Sequence, residues 1–375
     1  MRIVVTGATS FIGLAVIEEL LHGGHEVFAV VRPDSPGRKK LEGRKGIHIL
    51  ECGLDCIGKL ADSPVLADSP VLSDSPALSD SPALSDSPAL SDSPALSDSP
   101  ALSDSLALAG RTDVVDWKDM AGRTDVAGRT DVPGGSNPVR GADAWLHLGW
   151  EGAGSANRQN PQLQARNIGY ALESLRTAAA IGCTRFLFSG SQAEYGIYRT
   201  VMKEEGACSP VSEYGKDKLE VCRRAAQEAE GLGITYIHAR IFSVYGPGDH
   251  PWSLVSTCID TFLKGGHMEM GACTQMWNFL YITDAARALA GLLLAKAPAG
   301  VYNVAGEDTR PLKEYIEEIH GLCGGKGTYE YGKRLPNAEG VVSLMPDISK
   351  LTRAAGFRQE VSFRKGIREM LKLRY

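Results

Sequence analysis

Tyr214 and Lys218 stand four residues apart in Glu213-Tyr214-Gly215-Lys216-Asp217-Lys218, at the opening of a stretch with helical spacing. Residues four apart on a helix share a face, so a phenol and an ammonium would lie side by side. A free phenol titrates near about pH 10 and exchanges protons poorly at neutral pH. A neighbouring ammonium would bring that value toward the range that proton transfer needs. Taken alone, the spacing is common. Upstream, the run Phe186-Leu187-Phe188-Ser189-Gly190-Ser191-Gln192-Ala193-Glu194-Tyr195-Gly196 ends a strand pattern. Ser191 there offers a hydroxyl that can hydrogen-bond the substrate oxygen served by Tyr214.

A second chemical feature is Thr6-Gly7-Ala8-Thr9-Ser10-Phe11-Ile12-Gly13, between a β-branched run and a helical pattern. Gly7 permits a tight turn and Gly13 a close helix–sheet approach. The helix start then presents free N–H groups to a pyrophosphate. The placement after a strand and before a helix is the context such a turn needs. The residue ending the next strand selects the dinucleotide: a carboxylate suits free ribose hydroxyls, a cation a 2′-phosphate. Here the strand ends Val30-Val31-Arg32-Pro33, with Arg38, Lys39 and Lys40 nearby. A guanidinium matches a phosphate dianion, so NADP(H) is favoured and NAD(H) is the alternative.

The elements that must position these residues alternate. Strand patterns fall at 2–6, 25–31, 47–51, 144–148, 184–188 and 235–239, and helical patterns at 11–22, 167–181 and 213–230. Such alternation predicts an α/β fold, a Rossmann-type doubly wound parallel sheet that binds ligands at the carboxyl ends of its strands. The pattern is interrupted over 60–140. Leu recurs every sixth residue from 66 to 108, and Pro every sixth from 64 to 100. The motif Ala-Gly-Arg-Thr-Asp-Val follows at 109–114, 121–126 and 127–132. Proline at that period forbids a regular helix, and the units carry little to bury. The insert reads as an extended or disordered low-complexity excursion, with a small solenoid as the rival reading. No catalytic role is assigned to it.

The chain of 375 residues carries 40 basic and 45 acidic side chains, a net charge of −5. Eight of the Asp lie between Leu60 and Gly110, a stretch without Lys, Arg or Glu; 45 less these eight leaves 37 acids against 40 bases elsewhere. The acidity belongs to the insert, and no basic surplus argues for nucleic acid. No run approaches the roughly 18 apolar residues of a membrane span, and the N-terminus lacks a signal-peptide layout, so a cytoplasmic location is expected. Eight Cys at 52, 56, 183, 208, 222, 258, 273 and 323 form no CxxC pair and read as reduced thiols. No His, Cys, Asp or Glu set has metal-ligand spacing. His147, inside an apolar strand, reads as a core histidine. Asp249 and His250 read as loop residues. Trp150 suits either the cleft or the core.

Several motifs in order carry a resemblance. They are Thr6 to Gly13, His147-Leu148-Gly149, Asn167, Ser191 to Gly196, and Tyr214 with Lys218. Then come Arg240-Ile241-Phe242-Ser243-Val244-Tyr245-Gly246-Pro247, Phe279-Leu280-Tyr281-Ile282-Thr283-Asp284 and Tyr302-Asn303-Val304. With these the chain resembles the extended short-chain dehydrogenase/reductase superfamily, in its NAD(P)-dependent epimerase/dehydratase branch, over nearly everything but the insert. The resemblance implies hydride transfer at a sugar carbon, usually on a nucleotide sugar. Ser191, Tyr214 and Lys218 would be catalytic, with Tyr214 the acid–base and Lys218 its electrostatic partner and a ligand of the nicotinamide ribose. Gly7, Thr9, Ser10, Phe11, Ile12, Gly13 and Arg32 would hold the cofactor. Leu54, Leu148, Gly149, Phe242 and Val244 would line it, and Gln192, Ser243 and Trp277 would join Ser191 at the substrate. It also implies a small C-terminal α/β substrate lobe and is compatible with a homodimer. The expected organisation is 1–59 with 141–250 as the dinucleotide domain, 60–140 as insert, and 251–375 mainly as lobe, 277–290 returning to the first domain.

Departures refine the expectation. Ser10 replaces the family's middle glycine, and Gly53 its acidic residue near the adenine. Gln192 and Ala193 stand where dehydratases place Asp-Glu, which argues against 4,6-dehydration; Glu194 is expected to be structural or substrate-orienting. Ser243 replaces an Asn, and Trp277-Asn278 an Arg-Asp pair whose Arg often contacts a diphosphate. Arg199, Lys264 or Arg310 would be substitute cations. The leading expectation is an NADP(H)-dependent reductase of a 4-keto sugar. The alternatives are a 4-epimerase retaining NAD and, from another class, a non-catalytic NAD(P)-binding interaction protein. The basic run from Arg364 to Arg374 reads as the polar face of a helix closing the lobe.

Overall fold

A computed structural model of the chain describes residues 1–62, 139–335 and 340–374. The repeat reading over 60–140 therefore lies, from 63 to 138, outside the described residues. In chain order the first elements are β1 (Arg2–Thr6), α1 (Phe11–His22), β2 (Glu26–Val31), β3 (Ile47–Glu51) and a single turn α2 (Lys59–Asp62). Next come β4 (Ala144–His147), α3 (Pro161–Ile181), β5 (Arg185–Ser191), α4 (Glu213–Gly231) and β6 (Thr235–Ile241). The remainder comprises β7 (Ser243–Tyr245), α5 (Leu254–Leu263), β8 (His267–Glu269), β9 (Met276–Tyr281), α6 (Ile282–Leu294) and β10 (Gly300–Val304). β11 (Thr309–Pro311), α7 (Leu312–Leu322), β12 (Thr328–Glu330), α8 (Ser349–Ala355) and α9 (Phe363–Lys372) follow.

The unbroken apolar runs of the first strands follow from burial on both faces, as a covered parallel sheet requires. Ile3 and Val5 point into a core with Val16, Ile17 and Leu289 of α1 and α6. Val4, between them, points to the other face, against Leu172, Leu175 and Val221 of α3 and α4. Seven parallel strands are ordered β10-β6-β5-β4-β1-β2-β3. The order reverses between β1 and β4, and a crevice at the carboxyl ends beside such a switch point is where ligands bind. The chain is a Rossmann-type α/β protein.

The structure moves some boundaries. The helix expected over 167–181 begins at Pro161, because Asn160 accepts from Leu163 N at 3.1 Å and proline needs no partner in the first turn. The strand expected to stop at 188 continues to Ser191, paired with Ile241 of β6. The strand expected over 144–148 ends at His147. Gly300–Val304 joins the main sheet beside β6. A separate core around Phe262, Tyr315, Ile316 and Phe363 packs α5, α7 and α9 with the small sheets β11-β9-β7 and β12-β8. In α9, Phe363, Ile367 and Met370 are buried in that core while Arg364 and Lys372 face solvent.

Candidate active site

The carboxyl ends of β1, β2, β4, β5 and β6 lead into Gly7, Arg32, Leu148, Gln192 and Phe242 in turn, so one edge of the sheet carries most of the expected residues. At the end of β1, Gly7 has φ 68°, which side chains disfavour. A Cβ on it would lie 2.7 Å from the Leu148 carbonyl carbon, and one on Gly13 would lie 2.2 Å from Gly7 O. Gly13 thus lets the turn close on its own carbonyl, rather than the helix on the sheet as the sequence suggested. Ser10 stands at φ −71°, ψ 164°, ordinary extended backbone. No glycine is required there, and Ser10 Oγ caps α1 by accepting from Gly13 N at 3.0 Å.

This cradle fits a dinucleotide. The glycines let the turn's backbone approach Leu148 and Gly149 where a Cβ would clash, α1 starts directly after the turn, and Leu54 packs within 2.9 Å of where a Gly149 Cβ would be. Phe11 and Ile12 are half-buried, Phe242 is buried, and Val244 is half-buried. Thr9 Oγ1 bonds Ser35 Oγ at 2.9 Å, tying the turn to the loop after β2. Arg32 is exposed at that loop. Arg38 is instead held by Glu42 and Glu51.

Tyr214 and Lys218 owe their register to the helix cap. Ser212 Oγ accepts from Gly215 N at 3.3 Å, so α4 starts at Glu213. Lys218 is 2% exposed and donates from Nζ to Ser189 O at 2.6 Å, joining α4 to the end of β5. Burial pushes its ammonium down to about 7, with the charge of Glu194 opposing. Trp150 lies over the ammonium, its ring centroid 3.9 Å from Nζ, and meets the Tyr214 ring edge-on at 5.8 Å. Its Nε1 donates to Gln164 Oε1 at 2.8 Å, which fixes the indole. Trp150 is thus half-buried at the Tyr–Lys pair, between the two readings the sequence left open. Asn167, fully bonded, holds the same loop by Glu151 N and O.

Sequence reading missed Arg158. Its guanidinium lies 4.5 Å over the Tyr214 ring, placed there because Arg158 O accepts from Tyr214 N at 3.0 Å. The tyrosine therefore has two cations near it, Arg158 and, at 5.6 Å, Lys218. No local motif marks Arg158, which sits in a loop far from Tyr214 in sequence.

Ser191 caps the short turn Gln192–Glu194. Its Oγ accepts from Ala193 N at 3.2 Å, which leaves the hydroxyl proton for a ligand. Glu194 is fully buried and accepts from Ser191 N at 2.7 Å, from His238 Nε2 at 2.9 Å and from Arg240 Nε at 2.8 Å. Burial alone would raise its carboxyl, but His238 and Arg240 outweigh burial and hold it down at about 2. Burial pushes the His238 imidazole down, against the pull of Glu194. Its Nε2 proton goes to Glu194, while Nδ1 accepts from Tyr236 Oη at 2.9 Å. Glu194 is structural, as one of its two expected roles had it. Cys222 Sγ also comes within 4.8 Å of these ligand atoms, but the Arg240 guanidinium already supplies the cation.

Of the substrate residues, Gln192 and Ser243 are half-buried near the ends of β5 and β6. Trp277 packs with Phe242 and Tyr195, its Nε1 buried and without a hydrogen-bond partner among the described residues. Asn278 is buried and clamps Gly306 N, Gly306 O and Asp308 O. Arg310 is held by Asp308 and Glu318 and lies 4.1 Å over Tyr315, so it is not a ready substitute cation. Arg199 and Lys264 are exposed. His147 is buried, bonded from Nδ1 to Thr6 Oγ1 at 2.9 Å and pushed down to about 3 by burial and Lys218, a neutral core group. Asp249 accepts from His250 N at 2.7 Å within its loop.

A doubly wound sheet with this glycine turn at β1 and a Tyr–Lys pair facing the end of β5 defines an extended short-chain dehydrogenase/reductase. The chain belongs to the NAD dependent epimerase/dehydratase family, whose model matches residues 3–64 and 124–305. It is 23% identical over 184 residues to an uncharacterized UDP-glucose epimerase of Bacillus subtilis (strain 168), covering 48% of this chain and 58% of that protein. It is 24% identical over 200 residues to a dTDP-4-dehydro-6-deoxyglucose reductase of Escherichia coli, covering 51% and 61%. The chain thus spans less than two thirds of the length of these curated relatives. Among solved structures, UDP-glucose 4-epimerase from Thermotoga maritima with UDP-glucose aligns with a TM-score of 0.71 at 16% identity, covering 100% of each chain. UDP-glucuronic acid 4-epimerase from Bacillus cereus with NAD aligns at 0.67 and 18%, covering 98% of this chain and 94% of that one. These likenesses establish the fold. Among the described residues no helix is long and apolar enough to cross a membrane.

Proposed function

We propose that this chain is an NADP(H)-dependent reductase of a 4-keto sugar carried on a nucleotide. The observation that carries the reading is Tyr214 flanked by Lys218 and Arg158, on a helix bonded to the strand that ends in Ser191. When bound in the Gly7–Gly13 cradle, the reduced cofactor supplies a hydride to the carbonyl carbon. Tyr214 gives its proton to the carbonyl oxygen as charge builds there. Ser191 donates a hydrogen bond to the same oxygen, keeping its own proton, and fixes its place. Lys218 and Arg158 then stabilise the phenolate left on Tyr214. Gly7, Thr9, Ser10, Phe11, Ile12 and Gly13 would hold the cofactor, with Leu54, Leu148, Gly149, Phe242 and Val244 lining it. Gln192, Ser243 and Trp277 would border the sugar.

Arg32 supports NADP(H) over NAD(H): it is exposed at the end of β2, and no ion pair holds it among the described residues. The E. coli relative's name, a dTDP-4-dehydro-6-deoxyglucose reductase, supports the reaction class. Dehydration is disfavoured, because Glu194 is ionised, buried and fully bonded, and so has no proton to give. A second reading, a nucleotide-sugar 4-epimerase with retained NAD, has its support in the full-length likeness to epimerases solved with NAD. Thermal shifts with NAD(H), NADP(H) and a panel of nucleotide sugars test the proposal, since a ligand that binds the native state raises its melting temperature. Stabilisation by NADP(H), with no dinucleotide released on denaturing the purified protein, is the expected result. Release of one equivalent of NAD overturns it in favour of the epimerase.

A further inference from the structure

The loop after β3 carries Cys52 and Cys56, which no step of the proposed chemistry uses. Their sulfurs lie 3.5 Å apart, in contact. Both thiols turn toward one acceptor, Gly53 O, at 3.1 and 3.6 Å. Cys52 is buried, whereas Cys56 is half-buried and open enough to meet a reagent. A disulfide needs sulfurs about 2.05 Å apart, so closure draws them together by about 1.5 Å. That movement falls on Gly53-Leu54-Asp55, between the two cysteines. Leu54 is the side chain packed against Gly149, one residue from the Leu148 carbonyl that Gly7 approaches.

We infer that Cys52 and Cys56 form a reversible disulfide that lowers the affinity of the neighbouring cradle for its dinucleotide. The site rests on geometry alone; its effect on affinity rests on the cofactor reading above. The chemistry balances with a disulfide oxidant such as oxidised glutathione. The Cys56 thiolate attacks one glutathione sulfur, the S–S bond breaks, and one glutathione leaves as thiolate. Cys52 then loses its proton and its sulfur attacks Cys56 Sγ, expelling the second glutathione. Two protein thiols are oxidised and one glutathione disulfide is reduced to two thiols. Burial holds the Cys52 thiol up at about 12, which favours Cys56 as the first to react.

The full-length protein, incubated with oxidised glutathione and then alkylated, is digested with trypsin. Cleavage after Lys45 and Lys59 leaves both cysteines on one peptide, 46–59. The expected result is that peptide two hydrogen masses lighter and protected from alkylation, reverting with dithiothreitol. NADP+ affinity, by titration calorimetry, should fall at least about fivefold on oxidation and recover on reduction. Cys56→Ser should bind NADP+ like the reduced protein and lose the response. An alkylated peptide under oxidant, or an affinity unmoved by a disulfide that does form, overturns the inference. Failure of the reduced protein to bind either NADP+ or NAD+ sinks the cofactor reading instead, and leaves the peptide result to decide whether the thiol pair closes.

Discussion

Substituting Glu194 by glutamine tests whether the end of β5 is held by charge. The amide keeps the size of the carboxylate and an oxygen for Ser191 N, but it leaves Arg240, 3% exposed, without its anion. A carboxyl held at about 2 against an ordinary 4.5 contributes two and a half pH decades, about 3 kcal/mol at neutral pH. Breaking a buried ion pair from one side costs a similar 3–5 kcal/mol or so. The expected loss for Glu194→Gln is therefore about 3 kcal/mol at pH 7, read from urea unfolding. The sign in pH is fixed. The folded value lies below the unfolded one, so the contribution is complete above about pH 5 and fades as pH falls toward 2. The gap between wild type and variant should stay level from pH 8 to 5 and narrow at pH 4 and below. Adding Arg240→Met should recover most of the loss, because removing both charges of a buried pair is often neutral. A loss under about 1 kcal/mol at pH 7, or a gap that does not narrow in acid, refutes the reasoning.

Lys218→Met should remove turnover yet stabilise the fold. The buried ammonium titrates near about 7, below its unfolded value, so its burial costs stability at and below pH 7, a cost that fades toward pH 10. A net gain of about 2 kcal/mol at pH 7 is expected after the lost bond to Ser189 O, and a destabilised variant would contradict the assignment. Tyr214→Phe should lower turnover at least about a thousandfold with cofactor affinity nearly unchanged; retained turnover removes Tyr214 as the proton donor. Gly13→Ala drives a methyl to 2.2 Å from Gly7 O, and dinucleotide affinity by calorimetry should drop at least about tenfold. Arg32→Glu should weaken NADP(H) about a hundredfold and NAD(H) little; equal losses would show that Arg32 does not meet the 2′-phosphate.

The legible parts of the fold were those in which neighbours in sequence decide the outcome. Both faces of the sheet are covered, so β1 and β2 read as unbroken apolar runs whatever packs on them. The Gly7–Gly13 turn announced itself because its constraints are local, down to Gly13 meeting the carbonyl of Gly7. Boundaries set by caps were less legible: Asn160 and Pro161 start α3 a turn and a half before its apolar spacing becomes regular. Ser10, which replaces the family's middle glycine, proved to be the cap of α1.

The site divides along the same line. Lys218 was legible beside Tyr214 because one helical turn brings them together, and Ser191 because it ends the strand that α4 is bonded to. Arg158 was not, and Trp150 was left between cleft and core, since the loop carrying them is fixed by Gln164 and Asn167 from the following helix. Glu194 shows why a residue's type alone does not give its chemistry. Three residues from Ser191 in the chain, it looks like a candidate acid at a reacting centre. His238 and Arg240, 44 and 46 residues on, give it a fixed charge and take up its oxygens. What remains to it is to hold Ser191 N and so to close the turn that Ser191 Oγ caps from the other side. In the proposed reaction, proton transfer then falls to Tyr214, which has Arg158 at 4.5 Å and Lys218 at 5.6 Å from its ring.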